Sequence, residues 1–193
     1  VLAALLLAAA GSALARDWPA PPIDLGPLPD FALTGHTGRA VTRADLLGSV
    51  WIADFIFTRC AGQCPLLSGR MAALQERFAE APGVRLVSFT VDPDYDTAER
   101  LAAYAAHWGA REGRWDLLTG PKEAVRSLIL TGFQLAVSDE GTPEEPIAHS
   151  VRLALVDAAG RRRGYYDATD EQAMERLYHD ARALAEPAPA EAE

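Results

Sequence analysis

The segment "VWIADFIF", residues 50–57, is apolar at every position except Asp54. A strand with one wet face alternates apolar and polar side chains, so a run of this kind describes a strand covered on both faces. "VRLVSFTV", residues 84–91, reads as a second buried strand. Between them, Leu67, Met71, Leu74 and Phe78 recur at helical spacing as far as Ala81, Pro65 suits the first helical position, and Pro82-Gly83 stop the helix. Two buried strands joined through a helix are parallel neighbours with a right-handed crossover, and that unit sets the class of the whole fold.

The flanking segments complete the pattern. "DFALTGHTGRAV" reads as two short strands about a Gly-rich turn, and "TRADLLG" as a helical turn ended by Gly48. After the second buried strand, Asp96 and Glu99 have capping-box spacing, and Leu101, Tyr104, Ala105 and Trp108 share one face of the next helix. "WDLLTG" is a short strand, and Pro121 opens a helix through Leu130. There follow "QLAVS", an acidic loop "DEGTPEEP", a strand "SVRLALVD", a turn, "RGYYD", and a last helix from Asp170 to Leu184. This order predicts an α/β, thioredoxin-like fold, with a central mixed sheet flanked by helices.

The folded domain is expected over residues 30–184, and the 49% hydrophobic share supplies an ordinary core for it. Residues 1–15 read as a secretory signal or membrane anchor: a short apolar run ends in Ala13-Leu14-Ala15, an A-x-A cleavage pattern, and with no Met before it the true start is expected upstream. Residues 16–29 carry Pro19, Pro21, Pro22, Pro27 and Pro29 and read as a stiff linker, while 185–193 read as a disordered acidic tail. The domain is therefore expected to be exported. A formal charge of −9 without a basic stripe excludes nucleic acid as a partner, and the one cationic run, Arg161 to Arg163, reads as a solvated turn.

Both cysteines of the chain, Cys60 and Cys64, lie in "FTRCAGQCPLL", where the first buried strand feeds its helix. That is the carboxyl end of the sheet, where α/β sites gather. Four residues apart on a helical turn, two Cα atoms lie roughly 6 Å from each other, within reach of a disulfide. Reduced, the pair can converge on one metal ion. Cys64 at the helix start faces unpaired N–H groups that favour a thiolate. A purely structural disulfide closing so short a loop would constrain the unfolded chain only modestly. A structural zinc wants four protein ligands, whereas thiolates with one imidazole suit Cu(I). Of the histidines, His36, His107 and His179 read as surface residues, while His149 stands before the strand that returns to face the cysteines. A peroxidase site is disfavoured, because Thr58 lies only two residues before Cys60 and no proline completes the pattern.

"DFIFTRCAGQCP", "SFTVDPDYDT", "LLTG" and "IAHS" together resemble the Sco/SenC family over nearly the whole domain. That resemblance implies copper, as Cu(I) or Cu(II), held by Cys60, Cys64 and His149. It also implies a role in assembling the binuclear copper A centre of cytochrome c oxidase. The partners would be the copper-bearing oxidase subunit or another copper chaperone, close to a membrane, in the bacterial periplasm or on the outer face of the inner membrane. The chain departs from the usual family pattern at Arg59 and Ala61, at the Ala61-Gly62-Gln63 filling, and at Ala148, without losing a ligand. A second expectation concerns enzyme activity. Asp54, six residues before Cys60, resembles the buried Asp of thioredoxins, and a desolvated carboxyl there can serve as a base in thiol exchange. On that alternative Cys60, Cys64 and Asp54 are catalytic, and the chain is a thiol–disulfide oxidoreductase keeping a client's copper-ligand cysteines reduced. The absence of proline from Ile147 to Gly164, where such enzymes place one opposite the cysteines, favours the metal site.

Overall fold

The computed structural model describes residues 22–81, 83–142 and 146–186. The expected leader over 1–15, Pro82 and the tail beyond 186 lie outside the described residues. The elements in chain order are β1 (Ala32–Gly35), β2 (Ala40–Thr42), β3 (Val50–Ile56), α1 (Cys64–Arg77), β4 (Val84–Thr90), α2 (Ala98–Trp108), β5 (Trp115–Thr119), α3 (Lys122–Ser127), β6 (Val137–Ser138), β7 (Ala148–His149), β8 (Arg152–Val156), β9 (Arg162–Asp167) and α4 (Glu171–Ala185). Seven strands form one mixed sheet in the order β2-β1-β5-β4-β3-β8-β9, with β3, β4 and β5 parallel and the remaining pairs antiparallel. This is the thioredoxin-like arrangement expected of the sequence.

The run at 50–57 becomes β3, and every one of its residues is buried. Its odd positions meet an aromatic layer: Phe55 packs on Phe89 and Phe133, and Trp51 on the same two rings. Helices α1 and α4 pack against this strand. Burying a side chain such as Ile52, Phe55 or Ile56 stabilises the fold by about 1.5–3 kcal/mol each, which suits a strand inside the sheet, between β4 and β8. The helix after it begins at Cys64, with Pro65 one residue further in, where a missing N–H costs nothing. Arg77 in the last turn complements the dipole and pairs with Glu175 of α4. Among the described residues no helix is long and apolar enough to cross a membrane.

The structure departs from the sequence expectations in four places. The cap of α2 is Thr97, whose side chain accepts from the Arg100 amide; Asp96 turns inward and is fully buried. The Arg161–Arg163 run is not a solvated turn. Arg162 is 5% exposed, and these three arginines hold the segment at residues 22–28 against β9, through Arg161–Asp24, Arg162 to Leu25 O and Arg163 to Pro22 O. Backbone bonds from Leu25 N to Arg162 O, Arg162 N to Gly26 O and Leu28 N to Gly160 O extend the sheet edge. The latter part of the Pro-rich stretch is therefore built into the domain rather than spacing it, because a free edge strand gains hydrogen bonds by accepting it. The helix after Pro121 also changes character, widening from α3 into a π-turn over Leu128–Gly132.

Candidate metal centre

Past Ile56 the chain stays buried at Phe57 and then turns, with the Cys60 amide donating to Phe57 O at 3.2 Å. Residues 61–63 are exposed, and α1 takes over at Cys64. The cysteine segment thus caps the carboxyl ends of β3 and β4. Cys64 has no solvent exposure and Cys60 has 9%, and no disulfide joins them.

His149 comes from the other side. It lies on β7, paired with Val137 of β6, just before β8 returns antiparallel to β3. Its Nε2 stands 3.5 Å from Cys64 Sγ, its Nδ1 lies 3.1 Å from Ser150 O, and its ring meets Phe57 edge-on. The two Sγ atoms and an imidazole nitrogen of His149 all lie within 4.8 Å of one another. The structure thus brings together the three residues singled out in the sequence. The other histidines stay apart: His36 Nδ1 accepts from the Leu117 amide, His107 meets Trp108 edge-on, and His179 neighbours Glu175. An open cleft of about 640 Å³ adjoins the centre, lined by His149 with Gln63, Gln134, Ser138, Arg152 and Asp167.

The electrostatics of the thiols differ from the helix-start expectation. Burial pushes the Cys64 thiol up, and the Cys60 thiol beside it adds to the shift. Desolvation outweighs the helix dipole, so Cys64 favours its protonated form until a cation offsets the thiolate charge. Asp54, also without solvent exposure, lies on the helix-covered face of β3 opposite Ser88. Burial raises its carboxyl to about 7, against a smaller lowering by the Ser88 hydroxyl. Neither carboxylate oxygen makes a hydrogen bond of good geometry among the described residues, so the Ser88 hydroxyl acts on it only as a polar neighbour. Its charge adds to the cost of ionising Cys64 and Tyr104, which places it close beneath the centre; the Tyr104 hydroxyl in turn lies 2.7 Å from Ser68 Oγ.

The family model described as SCO1/SenC matches residues 26–186. The chain belongs to the SCO1/SenC family. The SCO1 protein homolog of Bacillus subtilis is 34% identical over 133 residues, 68% of either chain. The crystal structure of a SCO1/SenC family lipoprotein from Bacillus anthracis superposes with a TM-score of 0.79 at 32% identity, covering 86% of this chain and all of that one. BsSco, described as a member of the Sco family of cytochrome c oxidase assembly proteins and as carrying a disulfide switch, superposes at 0.75 with 28% identity, over 86% of this chain and 96% of that one. Family membership agrees with the resemblance carried by "DFIFTRCAGQCP", "SFTVDPDYDT" and "IAHS".

Sequence reasoning missed one participant. Asp96 accepts from the Thr58 amide (3.0 Å), from Thr58 Oγ1 (2.5 Å) and from Thr90 Oγ1 (2.6 Å), so it grips the chain two residues before Cys60. Burial pushes its carboxyl up, and the hydrogen bonds from Thr58 and Thr90 pull against that. The available signal was Asp96 within "DPDYDT", which the capping-box spacing disguised.

Proposed function

We propose that this protein is an exported copper-binding metallochaperone that assists cytochrome c oxidase assembly, with Cys60, Cys64 and His149 holding the ion. One observation carries the reading: three donors from two distant segments converge within 4.8 Å. Two sulfurs and one imidazole are too few for a structural zinc and suit a soft ion of low coordination number. The ScoI protein of Bradyrhizobium japonicum, which shares this fold, was solved with copper bound. Copper is cargo here, and this chain's part is to supply the donors and to keep them close. Holding Cu(I) needs both thiols reduced, so closing a Cys60–Cys64 disulfide would release the ion. The lipoprotein relative supports export and a place at the outer face of a bacterial inner membrane. The copper-bearing oxidase subunit, or another copper chaperone, is the proposed partner.

A second reading, thiol–disulfide reductase, draws on Asp54. A buried carboxyl held near neutrality below Cys64 is suited to accept a thiol proton. The test pairs an anaerobic Cu(I) titration with a disulfide-reduction assay. The reduced protein is expected to take up one Cu(I), and Cys60→Ser or Cys64→Ser to weaken binding by more than about 100-fold, since losing a ligand exceeds losing a supporting residue. Single mutants that bind like the parent would place the copper site elsewhere. Efficient disulfide reduction without copper uptake would promote the reductase.

A further inference from the structure

The turn at residues 92–97 holds two buried carboxylates, and both reach back to the residues just before Cys60. Asp96, fully buried, takes three hydrogen bonds, two of them from Thr58. Asp92, 7% exposed, receives Arg59 Nε at 2.7 Å, and the Arg59 guanidinium lies 4.7 Å from the centre of the Tyr95 ring. The turn is itself anchored to the sheet: Asp96 N donates to Asp92 O (2.8 Å), Asp92 N to Thr90 Oγ1 (3.0 Å), and Val91 N to Ile56 O (2.8 Å). Cys64 needs no such help, since α1 and the core hold it.

We infer that Asp96 is a positioning residue for Cys60, acting through Thr58 to hold the first thiol at the distance from Cys64 and His149 that the centre requires. This inference deepens the proposed copper site and rests on it. Burying a carboxylate costs free energy unless hydrogen bonds offset it, so a carboxylate with three donors stays where those donors are and keeps them there. Thr58 supplies two of the three, from backbone and side chain. Its position is therefore set in two directions, and Cys60 follows two residues later.

The experiment uses the whole protein with Thr58→Val, Thr58→Ser and Asp96→Asn. Thr58→Val keeps the shape and removes the hydroxyl; Thr58→Ser restores the hydroxyl. Two readouts are taken at a temperature where each variant is folded by circular dichroism. One is Cu(I) affinity. The other is the metal-free Cys60–Cys64 dithiol–disulfide equilibrium against glutathione, which reports how well the thiols are held together. Thr58→Val and Asp96→Asn are expected to weaken Cu(I) binding about tenfold and to lower disulfide formation by a similar factor, with Thr58→Ser near the parent. A merely structural role would lower the melting temperature and leave both readouts of the folded protein unchanged, and that result overturns the inference. Should the parent bind no Cu(I), the proposed function falls, and the glutathione equilibrium alone decides the role of Asp96.

Discussion

The centre is built from two unlike arms. The cysteine arm, residues 57–64, leaves a fully buried strand, is gripped at Thr58 and Arg59 by buried carboxylates, and ends in a helix. The histidine arm, described over residues 134–142 and 146–151, rests on two strands of two residues each and lines a solvent cleft. His149 is partly exposed and leans on Phe57, a residue of the other arm. Local opening is cheapest where few apolar contacts must break, so on the proposed copper reading the imidazole is the donor expected to leave first.

The comparison can be sharpened first at Asp54 of β3, the strand that feeds the cysteine arm, where the largest effect is expected. Asp54 has a pKa of about 7 folded against an ordinary value of 3.8. Between these values the unfolded chain releases a proton that the folded chain keeps. Stability is therefore highest below the ordinary value and is lost as pH rises through about 7, by roughly 3 kcal/mol between pH 5 and 8. Asp54→Asn should remove that fall. Denaturant unfolding of the reduced, metal-free proteins at several pH values measures it, and parallel curves for parent and variant would show that β3 holds no such perturbed carboxyl beneath the cysteine arm.

On the histidine arm, His149→Ala should weaken Cu(I) binding by roughly 10–100-fold, and Cu(II) binding further because Cu(II) prefers nitrogen donors. Unfolding free energy should change by less than about 1 kcal/mol, as for other partly exposed positions. The Cys60–Cys64 disulfide equilibrium should be untouched. A loss of disulfide chemistry with copper retained would make the two arms one unit and give His149 an acid–base role.

The smallest effect is expected at Gln134, whose φ of 56° puts a side-chain-bearing residue in the left-handed region at the root of the histidine arm. Gln134→Gly relieves that strain at some entropic cost, so unfolding should shift by no more than about 1 kcal/mol toward stability. A clear destabilisation in the same unfolding experiment would mean that the Gln134 side chain, rather than the backbone turn, supports this arm.

Much of this molecule follows from local patterns. The run at 50–57, the helical spacing from Leu67 to Phe78 and the cysteine spacing are consequences of neighbours along the chain, and they sufficed to place a thioredoxin-like sheet with both thiols at its carboxyl end. His149 could be marked as a candidate from its place before a returning strand, but nothing local distinguishes it from His36, His107 or His179. Only the antiparallel pairing of β8 with β3 carries it to Cys64. Burial was the other hidden quantity. It reverses the helix-start expectation for Cys64, turns Asp96 from a cap into a clasp, and draws Arg162 out of solvent onto the segment at 22–28. Periodicity and propensity act between near neighbours, so the sequence by itself determined the elements and their order. Desolvation and convergence depend on what packs against a residue from distant parts of the chain, and only the tertiary structure decided those.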